Sequence, residues 1–281
     1  MASPLSLDEL DARLAGAGYL ADETLLTALY LALELGKPLL LEGVPGVGKT
    51  EVANRLAAIL GRTCIRLQCY EGIDATKALY DWDHARQLLQ VRLAEQAGTV
   101  SLDDLYDEKF LIEMPLLKAL RQADRCVLLI DEIDRADDAF EAFLLELLSD
   151  FQITIPEIGT LRAACPVITI LTSNRTRELH DALRRRCLYH WIDYPTRERE
   201  IEILRVRVPG VEDAIAERVC TAVARLRDTD LYKLPGVGET IAWARALRAL
   251  PGEDLDATLG AVLKVREDIE RVRETGVLDG A

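Results

Sequence analysis

Apolar residues recur along this chain with two different periods. From residue 7 to 35 they return every three or four positions, with Leu25, Leu29 and Leu33 on one face, which predicts helix. Gly36 and Pro38 stop it. The next run, PLLLEG (38–43), is short, apolar and closed by glycine, the pattern of a buried parallel strand. CIRLQ (64–68), CVLLI (126–130), VITIL (167–171) and LYHWI (188–192) repeat it. Helical patterns lie between. TEVANRLAAIL (50–60) sets Val52, Leu56 and Leu60 on one side, and FEAFLLELLSD does the same with Phe140, Phe143, Leu144, Leu147 and Leu148. Strands alternating with helices predict an α/β fold with a mainly parallel sheet of these five strands.

Beyond Pro195 the period is helical throughout, with helices predicted over 197–207, 211–228, 238–250 and 254–274. The chain is therefore expected to divide into an α/β part (1–196) and a small all-helical part (197–281). Two segments interrupt the alternation. Residues 69–113 are long and mixed, with LYDWDHARQLLQVRLAEQ (79–96) predicted helical. FQITIPEIGTLRAA (151–164) alternates polar and apolar about a turn at Pro156 to Gly159, a β-hairpin pattern.

Composition narrows the setting. At 281 residues and 49% hydrophobic, the chain can bury a core for one large domain and a smaller one. Its net charge of -14 works against broad contact with nucleic acid or anionic membrane. Cys64, Cys69, Cys126, Cys165, Cys187 and Cys220 form no CxxC pair, and several sit in apolar runs, as reduced structural cysteines do. His84, His180 and His190 are isolated and give no metal-ligand spacing. The N-terminus, MASPLSLDELDARL, is too acidic for a secretory or transit signal. The most apolar stretch is broken by Glu34, Lys37 and Pro38, so no membrane span is expected. The expectation is a soluble cytoplasmic protein.

Three stretches carry chemistry. GVPGVGKT (43–50) matches G-x-x-x-x-G-K-[ST] between a predicted strand and a predicted helix. Gly43, Val44, Pro45, Gly46, Val47 and Gly48 form a loop whose backbone N–H groups can converge on phosphate oxygens. Lys49 would bridge the β- and γ-phosphates and the Thr50 hydroxyl would hold magnesium. A glycine-rich turn before a helix is the plainer alternative, and the strand-to-helix context weighs against it. CVLLIDEID (126–134) ends a buried strand in two carboxylates: Asp131 would contact magnesium through water and Glu132 would activate the attacking water. In ILTSN (170–174), Asn174 ends another core strand and can hydrogen-bond both γ-phosphate and water, although asparagine after a strand is also a common turn residue. Finally, three arginines, Arg184, Arg185 and Arg186, stand together in an acidic chain.

The order of these motifs resembles that of AAA+ ATPases of the P-loop NTPase class over nearly the whole chain. Within them, DEIDRADDAFEAFLLELLSDFQITIPEIG is similar to the MoxR group, with 69–113 as its helix-2 insertion and 151–164 as its pre-sensor-1 hairpin. More narrowly, TSNRTRELHDALRRRCLYHWIDYP resembles the maturation ATPases encoded near carbon monoxide dehydrogenase. The resemblance implies ATP and Mg2+ as cofactors, a homo-oligomeric and usually hexameric ring, and a helical lid over 197–281. It also implies a von Willebrand A adaptor in trans and a client protein, such as a molybdenum hydroxylase. One of the arginines would reach the γ-phosphate held by the next subunit, since a guanidinium fork suits phosphate oxygens. Relatives with a cysteine after the finger favour Arg186, with Arg185 second and Arg184 bonding within the helix end. A basic helix C-terminus favoured by the helix dipole is the plainer reading of the run.

The family pattern is broken at one place. In PGVGETIAWARAL (235–247), Glu239 and Thr240 stand where many lids carry a γ-phosphate-sensing arginine. Either Arg245 substitutes or that sensor is absent. The second PGVG lacks the Lys-Thr pair and reads as the turn before a helix. Tyr80 and Trp82, in the insertion, fit either a client-gripping pore or a small satellite core. Three functions follow: an ATP-driven chaperone or assembly factor, a nucleic-acid motor or loader, and a nucleotide-gated scaffold. The acidic insertion and hairpin oppose the second. The intact Glu132 and Asn174 oppose the third.

Overall fold

A computed structural model describes residues 5–97, 107–156, 158–250 and 254–278. Residues 98–106 of the insertion, Glu157 of the hairpin turn, 251–253 and the chain ends lie outside the described residues. The helix expected over 7–35 is two, α1 (Leu7–Gly16) and α2 (Glu23–Leu35). Gly18 turns between them at φ 81°, and the Asp22 carboxylate starts α2 by accepting from Leu25 N at 2.7 Å. Then come β1 (Leu39–Gly43), α3 (Lys49–Ile59), β2 (Thr63–Gln68) and α4 (Ala75–Leu79).

The insertion corrects the sequence reading. Tyr80–Trp82 is not helical; it is β3, paired antiparallel with β4 (Leu111–Glu113), and α5 (His84–Ala97) begins only after it. Asp83 sets that start, its carboxylate accepting from Arg86 N at 2.9 Å. Tyr80 and Trp82 pack edge to face, ring centres 5.9 Å apart, and Tyr80 lies against the main core, which favours the packing reading of these aromatics.

The chain continues through α6 (Pro115–Arg121), β5 (Cys126–Asp131), α7 (Asp138–Asp150), the hairpin β6 (Gln152–Ile155) and β7 (Gly159–Arg162), β8 (Ile168–Ser173), α8 (Asp181–Arg184) and β9 (Leu188–Ile192). The hairpin pairs Gln152 with Arg162 and Ile155 with Gly159. The five expected strands form one sheet in the order β2-β5-β8-β1-β9. Every residue of β5 is buried, as in a strand covered on both faces. Leu116, Leu117 and Leu120 of α6 and Phe140, Leu144 and Leu147 of α7 join Leu128 and Ile130 of β5 in one core.

The tail holds α9 (Arg197–Arg207), α10 (Asp213–Arg227), α11 (Val237–Ala249) and α12 (Arg266–Thr275). The single helix expected over 254–274 is a 3₁₀ stretch, Asp256–Ala261, followed by α12. Leu255, Leu259, Val262 and Leu263 are all buried there, and the Trp243 indole donates to Thr258 Oγ1 at 2.8 Å. A buried network ties three tail helices: Glu200, 1% exposed, accepts from both Arg227 Nη atoms at 2.8 Å and from Thr240 Oγ1 at 2.6 Å.

By backbone proximity the chain falls into two compact units: residues 1–10, 22–42 and 53–190, and residues 11–21, 43–52 and 191–281. Among the described residues no helix is long and apolar enough to cross a membrane.

Candidate nucleotide site

Register brings the strand-end residues of the α/β unit together. Ile130 pairs with Leu171 between β5 and β8, and Glu42 pairs with Ser173 between β1 and β8. Asp131, Asn174 and Glu42 therefore finish at one end of the sheet, where open α/β sheets bind ligands. Asp131 is 2% exposed. Its Oδ1 accepts from Thr172 Oγ1 at 2.5 Å, and its Oδ2 faces Arg66 Nε at 2.9 Å and Nη2 at 2.5 Å. Thr172 Oγ1 also accepts from Glu132 N at 2.9 Å, so one hydroxyl fixes both acidic residues.

Glu132 takes left-handed backbone angles, φ 55° and ψ 51°, a conformation that costs a non-glycine residue about 1 kcal/mol. Its Oε2 accepts from Gln68 Nε2 at 3.0 Å and from Arg135 Nε at 2.9 Å. Arg66 Nη2 in turn donates to Gln68 Oε1. Arg66, Gln68, Thr172 and Arg135 are absent from the sequence reading. Their only signal there is the alternation of polar residues along β2, which places Arg66 and Gln68 on its open face. Cys69, buried directly after β2, has its thiol pushed up to about 12 by burial, then by the charges of Asp131, Asp134 and Glu132. It is no nucleophile.

The glycine loop, in the other unit, has the form a phosphate cradle needs. Gly46 sits at φ 80°, which an L side chain resists. Lys49 is 6% exposed and donates from Nζ to Gly43 O at 2.7 Å and Val44 O at 2.9 Å, folding the loop around its ammonium. The helix α3 begins at Lys49, so its first N–H groups face the loop. Within the same unit the second PGVG is the start of α11, with Gly236 as N-cap and Glu239 Oε2 accepting from Gly236 N at 3.2 Å. Gly236 lies so close to Gly46 that a methyl on it would meet Gly46 Cα at 2.7 Å. Thr240 is consumed by Glu200, and Arg245 donates from Nη2 to Arg207 O at 3.1 Å.

The three arginines are held differently. Arg184 lies over the Tyr189 ring, 5.9 Å from its centre. Arg186 donates to Ala182 O at 2.8 Å and to Ser149 Oγ. Arg185 is 82% exposed, and the Asp181 carboxylate is 3.9 Å away.

Thr50 in one unit and Asp131 in the other each present a hard oxygen, the donor type magnesium takes, and the buried Asp131 carboxylate already faces a cation, Arg66. Among the described residues no three His, Cys, Asp or Glu are grouped to hold a metal alone.

Residues 38–187 match the model of the AAA domain (dynein-related subfamily), just over half of the chain. The chain belongs to the AAA family. It is an ATPase of that family, using ATP with Mg2+. This AAA protein is similar to SH1500, an uncharacterised protein of Staphylococcus haemolyticus, at 24% identity over 237 residues, covering 82% of this chain and 81% of that protein. It is similar to protein NorQ of Paracoccus denitrificans at 26% identity over 235 residues, covering 81% and 71%. A solved structure of a RuvB mutant from Thermotoga maritima matches with a TM-score of 0.50 at 22% identity, covering 97% of this chain and 73% of that one, a likeness of fold.

Proposed function

We propose that this AAA ATPase is a MoxR-type assembly factor that hydrolyses ATP at the junctions of a homo-oligomeric, hexameric ring in the cytoplasm. The observation that carries the ring reading is the arginine run: Arg186 is tied to Ser149 and Ala182, and Arg184 to Tyr189, whereas Arg185 extends into solvent. Arg185 is therefore the finger, ahead of the Arg186 favoured by the neighbouring cysteine. Its charge serves a γ-phosphate in the next copy.

Within each copy the loop 43–48 and Lys49 hold the phosphates, and Thr50 and Asp131 hold magnesium, which supplies charge neutralisation on the β- and γ-phosphates. Glu132 takes the proton of the attacking water, and Asn174 orients that water. Gln68 and Arg135 occupy one Glu132 oxygen until the carboxylate turns to the water. Residues 197–281 act as the lid, in which Arg245, held on Arg207 O, is no γ-phosphate sensor. The likeness to NorQ supports the MoxR-type reading, and the resemblance carried by the stretch TSNRTRELHDALRRRCLYHWIDYP supports a client that is a metalloenzyme, such as a molybdenum hydroxylase, and a von Willebrand A adaptor in trans.

Mixing inactive variants tests the trans geometry. Arg185→Ala should bind ATP but not hydrolyse it, and adding Lys49→Ala subunits should restore turnover at junctions that pair an intact loop with an intact arginine. Normal hydrolysis by Arg185→Ala would sink the assignment. Trapping partners with Glu132→Gln and ATP tests the client reading.

A further inference from the structure

Four side chains outside the phosphate-binding set form a line across the α/β unit. Glu42, 4% exposed, is the last residue before the glycine loop. Its Oε2 accepts from the Tyr189 hydroxyl at 3.1 Å and faces Arg175 Nε at 3.8 Å. Arg175 directly follows Asn174 and takes left-handed angles, φ 56°, its N–H donating to Ser173 Oγ at 3.0 Å. On the other side, Arg184 stands over the Tyr189 ring. One buried carboxylate oxygen thus meets the turn that carries Asn174 and, through a single phenol, the arginine run.

We propose that Glu42 is a positioning residue that couples Asn174, the γ-phosphate sensor of its own subunit, through Tyr189 and Arg184 to Arg185, the adjoining helix C-cap that the same subunit offers to its neighbour. The proposal rests on the trans reading of the arginine run. A buried carboxylate depends on its donors, so a change at one donor is felt by the other. When Asn174 engages a γ-phosphate, any turn of Arg175 alters the charge facing Glu42 Oε2. The Tyr189 hydrogen bond to that oxygen then strengthens or weakens, and the ring beneath Arg184 moves with it. Burial and the Glu42 charge raise the Tyr189 pKa, so the phenol remains a donor at working pH. Such coupling is reciprocal: a neighbour's nucleotide, pulling on Arg185 and so on the adjoining Arg184, is registered at Asn174.

The test is the shape of the ATP saturation curve. Wild type is expected to be sigmoidal, with about fivefold tighter binding at later sites, the lower end of ordinary coupling energies. Tyr189→Phe removes only the hydroxyl and should make the curve hyperbolic, while affinity for a fluorescent ATP analogue at the first site is retained. Glu42→Gln keeps the side chain's shape but drops the charge facing Arg175, and should do the same. Thermal melting monitors folding, and if Glu42→Gln does not fold, Tyr189→Phe and Arg184→Lys decide. A hyperbolic wild type, or a Tyr189→Phe curve as sigmoidal as wild type, overturns the coupling. Mixing Arg185→Ala with Lys49→Ala separates the two ideas. Restored turnover with a sigmoidal Tyr189→Phe sinks only the coupling; no restoration sinks the trans reading itself.

Discussion

The tetrapeptide PGVG occurs at 45–48 and again at 235–238, and the first glycine of each copy lies against the other. A methyl group on Gly236 would stand 2.7 Å from Gly46 Cα and 2.8 Å from both Gly46 C and O. These are backbone atoms, so no flexible side chain can yield. Ordinary contact begins at 3.4 Å, so Gly236→Ala requires α11 and the loop to part by at least 3.4 − 2.7 = 0.7 Å. Gly236 has φ −85°, which alanine accepts, so the whole effect comes from the approach and from the loss of a good N-cap. Overpacking of this kind costs about 1–3 kcal/mol, and alanine at an N-cap adds up to about 1 kcal/mol. Because the strained partner is the phosphate loop, part of that cost should appear as weaker ATP binding, about tenfold for each 1.4 kcal/mol. Gly238→Ala is the control: it has nothing within 4 Å and lies in the first turn of α11, where alanine is favoured over glycine by up to about 1 kcal/mol. Equilibrium titration with a fluorescent ATP analogue, together with thermal melting, reads both effects. If Gly236→Ala binds ATP like wild type and melts no lower than Gly238→Ala, the close packing of lid helix on loop is wrong.

Glu132→Gln should lower phosphate release by about 10²- to 10⁴-fold with ATP affinity kept; an equal loss of binding would show that Glu132 holds the loop rather than the water. Arg227→Ala strands the buried Glu200 carboxylate and should cost about 3–5 kcal/mol in urea unfolding, whereas Thr240→Val should cost about 1 kcal/mol. Burial holds His190 below its usual 6.5, against a smaller opposing pull from Asp22, and leaves its Nε2 without a partner. The folded protein thus takes up the His190 proton at a lower pH than the unfolded chain, so this share of stability is fully present above 6.5 and declines as pH falls below it. His190→Leu should flatten the decline in melting temperature between about pH 7 and pH 5, and an unchanged slope would mean other groups carry it.

What could be read from the sequence depended on how local each signal is. The central strands β1, β5 and β8 are legible because strands covered on both faces are written as apolar runs, and the edge strands β2 and β9 because burial alternates along them. The glycine loop, Asp131, Glu132 and Asn174 are legible because each sits in a short motif at a strand end. Tyr80–Trp82 is not, because its strand character comes from pairing with Leu111–Glu113, which no local pattern announces. The residues that set the acidic pair are hidden for the same reason. Gln68 reaches Glu132 only because β2 and β5 pair Gln68 with Asp131, and Thr172 reaches Asp131 only because β8 lies beside β5. The order among the arginines likewise turns on Ser149, at the end of a helix far back in the chain, which engages Arg186.

The lid's departure from the family pattern has a structural logic. Thr240 is fully buried and its hydroxyl meets Glu200, which Arg227 already holds through two nitrogens. An arginine at 240 would bring a second guanidinium and a far longer side chain into a site with no space and no spare carboxylate. The arginine–carboxylate pair therefore braces α9, α10 and α11. Arg245, the other arginine that could take that place, is bonded to Arg207 O, so on the proposed reading neither position offers the γ-phosphate a cation from its own copy. On that reading, Lys49 would neutralise part of the γ-phosphate charge in the transition state, and Arg185 of a neighbouring copy would supply the rest. Hydrolysis in this protein should accordingly depend on assembly: dilution that separates the subunits should lower turnover per subunit, and turnover per subunit that stays constant on dilution would refute this reading.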